Sequence, residues 1–357
     1  MSSTLERFDS WLSEDEGPAA LVLREYLMPV EGRDGVLFPA TFASGGDFKG
    51  GYNIDGDENG KNVCLVDSVG SQANRIEPMF ANQKYASLVP QIVVKAGSTS
   101  VNLLEAGHRA GDAIIRCTEL QQAVQSAFKA ALRGNAEPLA KIAPTSLVFG
   151  VWDSRDTQAK FPRLIASTIR AFDVRRLRRS AQFVPAVDYV RDGLLDEPTD
   201  KPSQNAYSER GFSHVPATAT HGGVIATGDI RRDATLSLAA LRLLNVDADA
   251  EGTRRLRRYI LGLALLAFFQ RPSGYLRQGC NLVLDPTKQS KVEEVHGDGR
   301  RTDITFDQDE LLAYAASASE AFGVGESREV EFDRVLAKKD LLGDKTVGDK
   351  PGKKAKK

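Results

Sequence analysis

Residues 67–80 read DSVGSQANRIEPMF, a run of small polar side chains and one arginine that leads into a core-like Ile and Phe. Placed on a helix at about 100° per residue, residues 68–80 sort into faces. Val69, Ala73, Ile76 and Phe80 fall on one stripe, while Ser68, Ser71, Gln72 and Arg75 share a neighbouring face and Asn74 and Glu77 lie elsewhere. One side of such a helix packs on a sheet and the other shows short hydrogen-bonding groups and a cation. Because the stretch NVCLVDSV (62–69) just before it reads as a strand, the free amides of the first helical turn add the positive end of a dipole at the same place. Short donors, an arginine and a helix start suit a phosphate backbone. The plainer alternative is that Ser68 or Ser71 caps the helix and Arg75 is solvated.

Working outward, a short amphipathic helix opens the chain, and LVLREYLMPV (21–30) and VLFPATFA (36–43) read as strands. The Gly-rich stretch 43–62 is too polar to pack and is expected as an exposed loop or finger. SLVPQIVVK (87–95) and TSLVFGVWD (145–153) read as strands, and LQQAVQSAFKAALRG (120–134) as a helix closed by Gly134. ATLSLAALRLLN (234–245) and TRRLRRYILGLALLAFFQ (253–270) are expected as helices, the second stopped by Pro272. Strands around NLVLD and RTDITFD and a helix in DQDELLAYAASASEAFG finish the fold; from Ala337 the tail is lysine-rich, poor in apolar residues and expected to be disordered. Strands and helices intermingle without strict alternation, and no Gly-rich phosphate fingerprint follows a strand. The fold class is therefore α+β rather than a doubly wound sheet.

The 47 basic and 48 acidic residues of the 357-residue chain nearly cancel, so any anion-binding surface must be local. One such surface stands out in PRLIASTIRAFDVRRLRRSAQF (162–183), where Arg163, Arg170, Arg175, Arg176, Arg178 and Arg179 are offset only by Asp173. Whether strand or helix, at least two guanidiniums share one side, and arginine grips phosphate in a bidentate way; a solvated face or salt bridges to acidic loops is the alternative. A second group, Arg254, Arg255, Arg257 and Arg258, opens a helix where cations are disfavoured and so calls for a compensating anion. Residues 191–223, polar and without a core pattern, form a long insertion of functional or disordered character.

Catalytic signals are sparse. The three cysteines, Cys64, Cys117 and Cys280, lack metal or redox spacing and fit a reducing cytoplasm, and the four histidines are scattered. In EAGHRAGDAIIR (105–116), Glu105, His108 and Asp112 fall at helical intervals, which suits a proton relay or a metal, whereas Gly107 and Gly111 suit a loop that brings backbone close to a partner. A metal-dependent ribonuclease using Asp67, Glu77 or Asp112 is the rival reading, and a protein-only assembly module is a third. No secretory signal is visible, and LGLALLAFF is far short of a membrane span.

DSVGSQANRIEPMF, LLEAGHRAGDAIIR and VLFPATFA together resemble the backbone subunit of type I-G (formerly I-U) CRISPR effector complexes, in the RAMP superfamily. The resemblance runs from about Pro18 to the final helix near Phe322. It implies a single domain over 1–336 with an RNA-recognition-motif (ferredoxin-like) palm, a finger insertion at 44–61 and a thumb-like insertion at 191–223, leaving the tail 337–357 outside. It implies a non-catalytic, cofactor-free scaffold: copies polymerise along one guide RNA (crRNA) and present it to target DNA, alongside other effector subunits and a recruited helicase-nuclease. The RNA contacts expected on this view are Ser68, Ser71, Gln72, Asn74 and Arg75 on the helix, His108 and Arg109 in the second motif, and Arg170, Arg175, Arg176, Arg178 and Arg179 in the basic stretch.

Overall fold

The computed structural model describes residues 4–57, 61–271 and 273–342. The elements that position the site are β1 (Ala20–Pro29), β2 (Asn62–Asp67), α1 (Val69–Ile76), β3 (Ile165–Phe172), β4 (Val174–Phe183), β5 (Val215–Ala226), β6 (Ile230–Ser237), α2 (Ala250–Phe269), β7 (Cys280–Leu284) and α3 (Gln308–Phe322). In the largest sheet the order β7–β1–β6–β3–β2 is antiparallel at every step. Short strands extend it: Ile54–Gly56 beyond β2, Tyr275–Arg277 beyond β7, and Lys291–Val295 along the first half of β1.

Residues two apart on a strand share a face, and on the inner face each central strand crosses three zones. β1 runs Leu23, Glu25, Leu27; β6 runs Ala234, Arg232, Ile230; β3 runs Ile165, Ser167, Ile169. The first of each three joins the large core beneath α2 and α3, the last joins a smaller core around Leu37, Tyr52, Cys64 and Leu276, and the middle residue is polar. Glu25 and Arg232, directly opposite in register, pair at 2.9 Å. Arg232 also donates to the Phe268 carbonyl at 2.7 Å, which pins the end of α2 to the sheet.

α2 is buried on nearly every side from Leu256 to Phe268. Gly262 allows this packing: a Cβ there would stand 2.9 Å from the Ala315 Cα of α3. The four arginines at its start find their anions within the chain, since Arg258 donates to Asp9 at 2.8 Å, Arg257 faces Glu14 at 3.6 Å, and Arg254 and Arg255 reach Glu251 at 3.5 and 3.8 Å.

Several expected elements differ. TSLVFGVWD is a helix over Thr145–Phe149 followed by the two-residue strand Val151–Trp152; all five helical residues are buried, so the apolar run carries no period by which helix and strand differ. VLFPATFA contributes only Thr41–Phe42 and a bridge from Leu37 to Val224 across the base of β5. SLVPQIVVK becomes a strand only from Ile92, and ATLSLAALRLLN is the end of β6 plus the short helix Leu238–Leu241. Of the expected finger, Gly51–Tyr52 and Ile54–Gly56 are short strands with Tyr52 buried, and residues 58–60 lie outside the described residues. Residues 337–342 continue the helix Arg334–Leu342, whereas Pro272 and residues 343–357 lie outside the described residues. No helix among the described residues is long and apolar enough to cross a membrane.

Candidate nucleic-acid interface

β2 ends at Asp67 and the chain turns at once into α1. Ser68 is the N-cap, its Oγ accepting from the Ser71 amide at 3.2 Å, so the capping role holds for Ser68 itself. Ala73, Ile76 and Phe80 are buried as the stripe predicts, and Pro78 sits at the start of the 3₁₀ turn Glu77–Ala81 that ends the α-helix. Gln72 corrects the expectation. Its side chain is fully buried and bridges Asp67, to which it donates at 2.6 Å, and Ser167, from which it accepts at 3.1 Å. The tighter packing of α1 on β3 turns this residue inward, which removes it from any surface that meets a phosphate.

Asp67 is the hub of the polar band. Its side chain has no solvent exposure, and it accepts from Gln72, from Arg75 Nε at 3.2 Å and from Arg277 at 3.0 Å. Two cations on one carboxylate leave a local excess of positive charge at the rim, and Arg75, held through Nε, has 32% of its side chain exposed. Ser71 is half-buried and Asn74 exposed on the same helix.

The second motif closes over α1 as two 3₁₀ turns, Leu103–Glu105 and Arg109–Gly111, not as one helix, so Glu105, His108 and Asp112 do not line up. Asp112 caps the short helix Ala113–Arg116 and also accepts the His108 amide at 3.2 Å. Arg109 is the second correction: it is buried, stands 2.6 Å from Glu77, donates to Asn74 Oδ1 at 3.2 Å and to the Gly150 carbonyl at 3.4 Å, and stacks its guanidinium on Phe149. Its work is internal, while His108 beside it is exposed. Asn74 commits its Oδ1 to Arg109, and among the described residues its side-chain amide N–H groups have no acceptor.

Arg163, not among the expected contacts, lies against this site. A Cβ on Gly150 would come within 2.8 Å of its Cγ, and one on Gly70, in the first turn of α1, would be 4.0 Å from its guanidinium. Its sequence signal was membership of the basic stretch. Arg277 was missed because it comes from a hairpin more than 200 residues away in sequence from Asp67.

The remaining arginines line a long two-stranded arm, β4 paired with β5. Arg175, Arg176, Arg178 and Arg179 are all exposed, and among the described residues none has a carboxylate partner. Arg176 instead contacts His221 at 3.3 Å, and Arg179 lies over Phe38. The arm is fixed at its base, where the Gly223 amide donates to Tyr52 at 3.0 Å and Leu37 and Val224 exchange backbone bonds. Arg170, half-buried on β3, donates to Thr168 at 2.6 Å. The polar insertion 191–223 divides into the outer half of the arm, with the helix Lys201–Glu209 that buries none of its residues, and most of β5.

The carboxylates of the ribonuclease reading are each engaged elsewhere: Asp67 by two arginines, Glu77 by Arg109 and Asp112 by backbone amides. Among the described residues no group of three or more His, Cys, Asp or Glu converges as a metal site would.

A family model described as "CRISPR-associated protein GSU0053" matches residues 21–176, a span that includes α1, the loop of the second motif and the first arginines of the arm. No curated protein sequence matches the chain. Among solved structures, a chain of a "CRISPR RNA-guided surveillance complex, pre-nicking" is similar at 13% identity and a TM-score of 0.33, over 90% of this chain and 99% of that one.

Proposed function

We propose that the chain is a non-catalytic backbone subunit of a CRISPR effector complex of type I-G, that it holds guide RNA by the sugar-phosphate chain, and that copies assemble along one guide. The observation that carries this reading is the arm strand β4. Four exposed arginines without carboxylate partners among the described residues stand on a protein of net charge -1, and the strand continues from the segment that matches a CRISPR-associated family. Unpaired guanidiniums on a fixed ribbon suit a polyanion whose base sequence varies, because phosphate contacts position a strand without reading it.

The palm, on this reading, is the antiparallel run β7–β1–β6–β3, with β2 added at its edge; the chain order β1–α1–β3–β6–α2–β7, with both helices on the inner face, is the β-α-β-β-α-β pattern that supports an RNA-recognition-motif relationship. Ser71, Asn74, Arg75, His108 and Arg163 form a cradle along the outer face of α1, and Arg175, Arg176, Arg178 and Arg179 continue it along the arm, which serves as the thumb. Each copy offers few phosphate contacts and binds weakly alone. Head-to-tail copies on one RNA act together, and target DNA, other effector subunits and a recruited helicase-nuclease meet the assembled filament. The test is direct. Protein purified from its host should carry RNA of one length class, seen as a raised 260/280 nm absorbance ratio, and charge reversal at Arg175, Arg178 and Arg179 should abolish it. RNA-free protein, or RNA retained by that variant, refutes the reading.

A further inference from the structure

We propose that Trp152 is a stacking platform for an unpaired base of the bound RNA; the ligand class rests on the function proposed above. The chain has two tryptophans. Trp11 is buried, with its indole N–H donated to Glu294 at 3.0 Å, whereas Trp152 is 58% exposed. It belongs to the hairpin Val151–Trp152 with Lys160–Phe161. Val151 is buried and Phe161 stacks on Phe128 with centroids 6.4 Å apart, so one face of the hairpin is anchored in the core while Trp152 and Lys160, its register partner, stay at the surface. The Lys160 ammonium lies 5.6 Å from the indole centroid.

The hairpin is rigid. Asp153, buried just after the tryptophan, accepts from the amides of Asp156 and Thr157 at 3.2 and 2.8 Å and from the Thr157 hydroxyl at 2.6 Å. Its own amide donates to the Ala159 carbonyl at 2.8 Å. An indole on a fixed support presents a flat apolar face with little entropy left to lose on binding. The hairpin also adjoins the cradle. A Cβ on Gly111, in the loop that follows His108, would be 2.9 Å from the Trp152 carbonyl, and Gly150, which precedes the hairpin, touches both Arg109 and Arg163.

Charge selects the occupant. Lys160 lies over the indole, Arg163 packs against Gly150 at the base of the hairpin and Arg155 stands exposed in its turn, and none of the three has a carboxylate partner among the described residues. An apolar protein surface would leave these cations unmatched, whereas a base joined to its phosphates satisfies ring and cations together.

Tryptophan emission reads the contact. In a Trp11→Phe variant Trp152 is the sole indole, and single-stranded RNA of about ten nucleotides should quench it, while an abasic strand of the same length and charge should bind without quenching. Should Trp11→Phe fail to fold, the difference between the native chain and Trp152→Phe supplies the same signal. Trp152→Ala should lower RNA affinity on the order of tenfold, Trp152→Phe should recover most of it, and the salt dependence should not change. RNA binding with undiminished emission, or at native affinity in Trp152→Ala, overturns the platform and leaves the phosphate cradle standing. A chain that binds neither strand overturns both. If Trp152→Ala alters self-association of the RNA-free protein and not RNA affinity, the indole is a protein contact and the proposal falls.

Discussion

Arg109 Nε stands 2.6 Å from Oε2 of Glu77, and neither side chain is more than 4% exposed. To reach it, Arg109 adopts a φ of 54°, in the left-handed region that residues with a side chain seldom occupy. The pair fastens the second motif to the end of α1 and, through Asn74, sets the orientation of one rim donor. Truncating one partner leaves a buried charge without its counterion, so Arg109→Ala should cost about 3–5 kcal/mol in chemical denaturation. The double change Arg109→Met with Glu77→Leu should recover much of that loss, because both desolvation penalties vanish together.

The same pair predicts a pH dependence. Burial pushes the Glu77 carboxyl up from its ordinary range to about 7, against the opposing pull of Arg109. With the folded value above the unfolded one, the contribution of Glu77 to stability is full below about 4.5 and is lost as pH rises through about 7. The stability of the native chain relative to Glu77→Gln should therefore fall between pH 5 and 8. Denaturation midpoints that move in parallel over that range would show that the carboxyl is not titrating there.

Asp67 carries the polar band, and its loss should be felt on both sides. Asp67→Ala leaves Gln72, Arg75 and Arg277 without their shared acceptor and should destabilise by about 3–5 kcal/mol. It also frees Arg75 from its fixed pose and should weaken RNA binding more than it changes the salt slope. In Mg²⁺ or Mn²⁺ neither protein should cut RNA; cleavage by the native chain that Asp67→Ala abolishes would establish the ribonuclease reading instead.

The band explains what could and could not be read from the sequence. Branched and aromatic content located β1 and β2 and the apolar stripe located α1 with its buried Ala73, Ile76 and Phe80, whereas the arginine-rich stretch stayed open between strand and helix and is the strand β4. The face that Gln72 shows was misread because a helical wheel sorts residues by angle, and the angle at which α1 meets β3 is set by a tertiary bond to Ser167. Glu25 and Arg232 left a signal that passed unused: each is a charged residue at a core position of an alternating strand, and two such interruptions of opposite sign mark partners across a sheet. Thr145–Phe149 and Arg277 were illegible for different reasons, the first because an all-buried run has no period, the second because its partner is remote in sequence.

Cysteine chemistry gives a check on the smaller core. Burial pushes the Cys64 thiol up to about 12 and the Cys280 thiol to about 11, and both side chains are closed to solvent. A thiol-reactive chromophore at pH 8 should leave both unmodified in the native protein and titrate all three cysteines in denaturant. Rapid native labelling of Cys64 or Cys280 would show that the contacts of Leu37 and Leu276 over this core open readily.

The arm decides the functional reading, because among the described residues no carboxylate accounts for its arginines; Arg176 meets only His221, and Arg179 lies over Phe38. Arg175, Arg178 and Arg179 lie on β4 without carboxylate partners among the described residues, so replacing all three by glutamine should change folding stability by less than about 0.5 kcal/mol per site. If each meets one phosphate of a single-stranded RNA, the slope of log affinity against log salt should fall by roughly 0.7 per arginine, or about 2 for the triple variant. A folding contribution would give the reverse pattern, a lowered denaturation midpoint and an unchanged slope. Measuring both on the same protein separates a binding surface from a solvated charged face, which is the ambiguity that the residue pattern left open.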